Sequence, residues 1–309
     1  MSPRRQKMPP EATSGTLEDP RLITPMLLRA WPLPEPTGTK YSRGQVLVLG
    51  GARSTPGAAM LAGLAALRVG AGRLSLAVAE SVARHVAVAL PESGVIGLPE
   101  DHAGSVTGEG TRELLESELA RANAVLLGPG LDSAEGAQRL LSEVLAVAPR
   151  TLPILLDAYG ATVLPSLGGD DLKRLGGRVC LTANEAELAL LVDQDALEAD
   201  AVVTAAQQVA DRFGAVVATH GWVIGPDDGA WKVSTGDTGL GTSGSGDVLA
   251  GALCGLLSRG APREQACVWA VHAHASAGDT LAARFGRVGF LARELLPELP
   301  LVLGSLRGD

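Results

Sequence analysis

The chain has 309 residues, 46% of them hydrophobic, with 39 glycines, 3% aromatic residues and a net charge of −8. That length and apolar content suffice for one large α/β core or two smaller ones, and the glycine count favours many tight turns between strands and helices. An acidic chain with no block of five like charges is a poor partner for nucleic acid or an anionic membrane surface, so small molecules are the expected ligands.

No apolar run approaches the ~18 residues a membrane span needs, and Met1 to Gly15 hold no apolar signal-like stretch, which predicts a cytoplasmic protein. The three cysteines, Cys180, Cys254 and Cys267, lack metal-ligand spacing and read as reduced core thiols.

Residues 1 to about 20 mix proline, arginine, glutamate, threonine and serine without periodicity and read as a disordered leader, leaving residues 21–309 as a single domain. Pro25–Ala30 is a short helix with Thr24 as its cap. The apolar run 45–49 closed by Gly50 and Gly51, the helical pattern 57–69, the stop Gly70-Ala71-Gly72 and the run Arg73–Ala79 spell strand, glycine loop, helix, strand. Such a βαβ unit crosses over right-handed and predicts a mostly parallel central sheet flanked by helices. The alternation continues with helix 81–89, strand 94–98, helix 110–120, strand Ala124–Leu127, helix 134–148 and strand 153–157, which leaves Asp157 at its carboxyl end.

Gly128-Pro129-Gly130 follows strand Ala124–Leu127, the kind of place where ligands bind in open α/β sheets, although a plain turn has the same composition. Strand Val179–Thr182 delivers Asn184 and Glu187 to the start of helix 184–191. There they could hold a magnesium-bound water, or form an ordinary N-cap with an acidic first turn. Helix 201–213, capped by Asp200, leads to strand 215–220, then Trp222–Ile224, the turn Pro226-Asp227-Asp228-Gly229 and Ala230–Val233, a hairpin pattern. Helices 263–284 and 291–295 close the chain.

The richest stretch is Gly236 to Gly251. The apolar run 248–257 suits a buried helix that begins near Gly246-Asp247, and Gly244, Ser245 and Gly246 just before it can turn backbone N–H groups into one concavity at the positive end of the helix dipole. Asp247 sits at the rim of that anion site, where the dipole favours its carboxylate, and could accept a proton from a hydroxyl during phosphoryl transfer. The plain alternative is a helix cap beside a tight turn.

From Ile23 to Leu301 the chain resembles the bacterial ADP-dependent NAD(P)H-hydrate dehydratases, a branch of the ribokinase-like superfamily. The resemblance is carried by Lys40-x-x-x-Gly44, Gly57-Ala58, Ala65-Ala-Leu-Arg-x-Gly-Ala-Gly72, Gly128-Pro-Gly-Leu131, Gly239-Leu-Gly-Thr-Ser-Gly-Ser-Gly-Asp-Val-Leu249, His274 with Ala277-Gly-Asp279, and Ala292-x-Glu-Leu295. It implies a ribokinase-like α/β fold and repair of NADH and NADPH whose nicotinamide ring has been hydrated (NADHX and NADPHX), by phosphorylation and elimination of the ring hydroxyl. ADP or ATP with Mg²⁺ would supply the phosphoryl group, and a homo-oligomer is expected. Asp247 would be the base, and the Gly244-Ser245-Gly246 amides would hold the phosphoryl group. The resemblance places Ala58, Gly130 and Asn184 against the hydrated nucleotide. It places His220, Gly221, Trp222, Val223, Ile224 and Gly246 against the adenine nucleotide. The two glycine loops, 128–130 and 244–246, should then face one cleft.

Several positions depart from the family pattern. Asn184-Glu185-Ala186-Glu187 stands where His-Pro-Gly-Glu is usual, Asp157-Ala158-Tyr159 where Asp-Ala-Asp is usual, and His220-Gly221 where Lys-Gly faces the nucleotide phosphates, a weaker positive charge. Asp237 replaces an asparagine and Ser243 a loop glycine. Asn184-x-x-Glu187 is similar to the magnesium motif of the superfamily's small-molecule kinases. Phosphorylation of a vitamin-like alcohol or sugar is therefore the second reading, and a nucleotide-binding protein with little catalysis the third.

Overall fold

In the computed structural model, which describes residues 8–35, 38–236 and 238–306, ten strands form one sheet. The first half of the chain runs β1 (Arg21–Ile23), α1 (Pro25–Ala30), β2 (Gln45–Leu49), α2 (Pro56–Arg68), β3 (Arg73–Ala79), α3 (Glu80–Ala89), β4 (Ser93–Leu98), α4 (Thr111–Leu119), β5 (Ala124–Leu127) and α5 (Ala134–Val147). The second half runs β6 (Ile154–Leu156), α6 (Tyr159–Thr162), α7 (Gly169–Leu175), β7 (Val179–Thr182), α8 (Glu185–Leu191), α9 (Val202–Phe213), β8 (Val216–Thr219), β9 (Trp222–Ile224), β10 (Ala230–Val233), α10 (Ser245–Ser258), α11 (Arg263–Phe285) and α12 (Ala292–Ser305).

The strand order is β1-β10-β9-β8-β7-β6-β5-β2-β3-β4. Strands β2 to β8 pair in parallel, whereas β9 pairs antiparallel with both β8 and β10. Burial on both faces explains why these strands read as continuous apolar runs. In β2, Val46 and Val48 enter one core with α2, α10, α11 and α12, while Leu47 and Leu49 enter the other with α4, α5, α8 and α9. All three cysteines are free and buried.

Two directions of winding meet between β2 and β5: the chain moves outward through β3 and β4, then returns to β5 and winds the other way. Such a reversal opens a crevice at the carboxyl ends of the strands. The loops Gly50-Gly51 and Gly128-Pro129-Gly130 flank it and are stitched together, with Gly51 N donating to Pro129 O and Ala52 N to Gly130 O, both at 2.8 Å.

Three expectations need correction, and one segment without an expectation gains helices. Residues 8–20 are not a detached leader: Pro10–Ala12 form a 3₁₀ turn, Ala12 is fully buried, and the Trp231 indole donates to Ala12 O at 3.0 Å. Gly15 and Ala230 exchange backbone bonds, which prepares β1 to pair with β10. Residues 1–7 and Asp237 lie outside the described residues. Helices α6 and α7 fill segment 158–175, where the apolar spacing is too sparse to show them. Helix α9 is preceded by Ala201 at the N-cap with no side-chain cap, so Asp200 does not serve there. Finally, α12 runs past Leu295 to Ser305 across Pro297 and Pro300, because Leu295, Leu296, Leu299 and Leu303 stay buried and packing outweighs the lost backbone bonds.

Candidate active site

Parallel strands deliver their last residues to one edge, and here β6, β7 and β8 each end in a polar group: Asp157, Asn184 and His220. The N-terminus of α10 faces them, and a cavity of about 1140 Å³ opens between, large enough for a nucleotide. Asp157, Thr182, Asn184, Glu187, His220, Gly221, Lys232, Gly244, Ser245, Gly246 and Asp247 line it together with His274.

The geometry of the α10 entrance follows from its glycines. Gly244 takes φ +90° at the N-cap, so the backbone there favours glycine, and a Cβ would also press on the Leu61 side-chain tip, 2.7 Å from its Cδ1. A Cβ on Gly246 would meet nothing within 4 Å, which leaves that side of the first turn open to the cavity. Ser245 points the other way. It is 2% exposed, its Oγ lies 2.9 Å from His274 Nε2, and that nitrogen lies 3.0 Å from Ser245 O. Burial drives the His274 imidazole down to about 4, so it is neutral at physiological pH and acts as a fixed bracket on the turn. The Ser245 amide is taken by Thr242 O at 3.1 Å, whereas the Gly246 and Asp247 amides meet no acceptor among the described residues. Of the Gly244-Ser245-Gly246 amides expected to hold an anion, that of Ser245 is thus engaged inside the turn, while that of Gly246 is open together with its neighbour at Asp247.

Three carboxylates share this end of the cavity. Asp157, 8% exposed, accepts a 2.6 Å bond from Thr182 Oγ1, yet burial lifts it to about 7, with Glu187 and Asp247 adding repulsion. Glu187 is also raised, first by burial. Asp247 is pushed up to about 6 by burial and then by Glu187. This reverses the direction expected from the helix dipole, since desolvation and a like charge outweigh a partial charge at the helix end. At pH 7 its carboxylate form still prevails by about tenfold.

Asn184 and Glu187 form a capping box: Glu187 N donates to Asn184 Oδ1 and Asn184 N to Glu187 Oε2, each at 2.9 Å. The ordinary cap is thus present. Among the described residues no three His, Cys, Asp or Glu side chains converge to hold a metal directly.

Ala58 and Gly130 lie side by side at the winding reversal, a Cβ on Gly130 coming within 3.0 Å of the Ala58 methyl, but neither lines this cavity. The two glycine loops therefore do not share one cavity. They are joined through α2, whose Leu61 abuts Gly244 one turn from Ala58. His220 and Gly221 make the β8–β9 turn with φ of +43° and +79° and do line the cavity. Trp222, Val223 and Ile224 do not: alternation along β9 sends Val223 and Ile224 into opposite cores, and Trp222 lies beside the second of them. Sequence reasoning passed over Lys232. Its signal was a lone cation between Trp231 and Val233 in an otherwise apolar strand.

The raised Asp157 has a consequence for stability. Its folded pKa lies above its ordinary 3.8, so the folded state binds the extra proton between roughly pH 4 and 7 and loses stability as pH rises through that window. Asp157→Asn keeps the acceptor for Thr182 and has no proton to lose. Its melting temperature should exceed the parent's by several degrees at pH 8 and by much less at pH 4, and an equal difference at both pH values would overturn this assignment.

The chain is similar to known proteins over most of its length. The sequence model of the NAD(P)H-hydrate dehydratase family matches residues 46–301. An ADP-dependent (S)-NAD(P)H-hydrate dehydratase from Xanthomonas campestris pv. campestris is 42% identical over 290 residues, covering 93% of this chain and 97% of its own. Bifunctional NAD(P)H-hydrate repair enzymes also align, and the chain spans about half their length. A Bacillus subtilis ADP/ATP-dependent NAD(P)H-hydrate dehydratase, co-crystallised with ATP/Mg²⁺, superposes with a TM-score of 0.73 at 25% identity over 93% of this chain and 98% of that one. A ribokinase-like superfamily protein from Enterococcus faecalis superposes with a TM-score of 0.76 at 22% identity, covering 93% and 96%, which shows the fold alone. With its ribokinase-like sheet, a glycine turn with open amides at the start of α10 and a match over most of its length, the chain belongs to the NAD(P)H-hydrate dehydratase family.

Proposed function

We propose that this protein is an ADP-dependent (S)-NAD(P)H-hydrate dehydratase. The observation that carries the reading is Asp247, a carboxylate on the first turn of α10 beside the free Gly246 and Asp247 amides and within a nucleotide-sized cavity. The ring hydroxyl of the hydrated cofactor attacks the terminal phosphoryl group of ADP and gives its proton to Asp247, and the bond to the AMP oxygen breaks. The nitrogen lone pair of the ring then expels the phosphate, the neighbouring carbon loses a proton, and the double bond returns. Hydroxide would leave poorly; phosphate leaves well.

The amides of Gly246 and Asp247 stabilise the transferring group, and His274 holds the turn that presents them. His220 and Gly221 bound the adenine-nucleotide side of the cavity. Asn184 borders the substrate side, and Ala58 with Gly130, beyond this cavity at the winding reversal, would meet the more distant part of the hydrated dinucleotide. The carboxylates of Asp157, Glu187 and Asp247, which repel one another, suit the water shell of a magnesium ion that would neutralise phosphate charge. Asn184-x-x-Glu187, the basis of the kinase reading, is engaged in its capping box.

Incubation with hydrated NADH, ADP and Mg²⁺ should restore NADH absorbance and release one inorganic phosphate per NADH. A stable phosphorylated product without free phosphate would replace this reading with the kinase. ATP in place of ADP in the same assay gives the nucleotide preference.

A further inference from the structure

A cavity that holds three carboxylates must still accept a polyanionic nucleotide, so where its positive charge comes from is a physical question. Among the described residues that line it, Lys232 is the one lysine or arginine, and His274 is buried and neutral. Lys232 stands in β10 opposite Trp222 of β9, and Val233 N donates to Gly221 O at 2.9 Å, which fixes this part of β10 against the His220-Gly221 turn. Trp231 and Val233 on either side are buried, so strand alternation turns Lys232 outward. Its Nζ lies 4.6 Å from the centre of the Trp222 ring and within 4.0 Å of no carboxylate among the described residues. A cation steadied by a ring face keeps its N–H donors for another acceptor.

We propose that Lys232 is the cation that pairs with the phosphates of the bound adenine nucleotide, a task that His220 leaves open. This rests on the reading that the cavity takes an adenine nucleotide. The lysine reaches the phosphates from the antiparallel strand β10 rather than from the turn after β8. Its charge offsets one of the three carboxylates and leaves the rest to the magnesium ion of the nucleotide complex.

Calorimetric titration with ADP, AMP and adenosine, at fixed Mg²⁺ and salt, tests this in the parent and in Lys232→Gln, Lys232→Arg and the double variant Lys232→Gln/His220→Lys. The Gln variant should bind ADP on the order of tenfold or more weakly, AMP with a smaller loss and adenosine unchanged, because a charge-assisted bond to phosphate is removed. The Arg variant should retain most ADP affinity, and the double variant should recover it. The salt dependence of ADP binding should flatten in the Gln variant. Equal losses for ADP, AMP and adenosine would show that Lys232 shapes the cavity without pairing with phosphate, and no loss, or no ADP binding by the parent, would overturn the inference outright. A melting temperature close to the parent's excludes misfolding, since Lys232 is exposed. Lys232-dependent ADP binding without recovery of NADH would leave this assignment standing and remove only the dehydratase reading.

Discussion

Asp247→Asn should bind ADP and melt as the parent does while its turnover on hydrated NADH falls by ~10²- to 10⁴-fold, the usual loss when a general base is removed. Asparagine has the same shape but cannot take the hydroxyl proton. The alternative, that Asp247 merely caps α10, is disfavoured by geometry: Gly244 holds the N-cap, and no side chain caps it. Asparagine also relieves the repulsion between Asp247 and Glu187, so stability at pH 8 should stay level or rise. In the parent the rate should fall as pH drops below about 6, where Asp247 protonates. Stability, calorimetric ADP affinity and recovery of NADH absorbance are measured on one preparation. A variant that retains full turnover removes Asp247 from the chemistry.

The second large effect is mechanical. Gly251 lies one helical turn beyond Asp247, at the crossing of α10 and α2, where a Cβ would overlap the backbone carbonyl of Ala62. Backbone cannot step aside as a side-chain tip can, so Gly251→Ala must push the two helices apart. The expected cost is about 3 kcal/mol, a melting temperature roughly 6–12 °C lower. Turnover should fall further than the folded fraction does, because α10 carries the amide cradle with it. Gly246→Ala is the contrast: its Cβ meets no protein atom, so the variant should be as stable as the parent or more so, yet crowd the phosphates and weaken ADP. If Gly251→Ala and Gly246→Ala melt alike, the crossing does not set the position of α10.

The alternation of strands and helices was legible because glycine punctuates it: Gly50-Gly51, Gly70-Ala71-Gly72 and Gly128-Pro129-Gly130 stand at element ends that the structure also has. The anion turn was legible from Gly244 to Asp247 for the same reason. What failed to show depends on distance along the chain. Pro297 and Pro300 forbid local helix bonds, and only burial against α2, α10 and α11 carries α12 through them. The upward shift of Asp247 comes first from burial in the folded chain and then from Glu187, sixty positions away in sequence. Lys232 becomes a cavity residue only when β10 is paired beside the β8–β9 turn, while Val223 and Ile224 turn into the two cores and Trp222 packs half-buried beneath Lys232. A family pattern transfers a stretch of chain, whereas strand alternation decides which of its residues see the ligand.

The short strand β1 carries a consequence for how this protein behaves at high concentration. Without it β10 would be the open margin of the sheet, a row of unsatisfied N–H and C=O groups able to stick to the margin of another molecule. Three paired residues, held down by Gly15 and by the indole of Trp231, cover that adhesive rim. The segment that looks most dispensable in the sequence is thus the one that covers the β10 margin and leaves a strand of only three residues as the rim of the sheet.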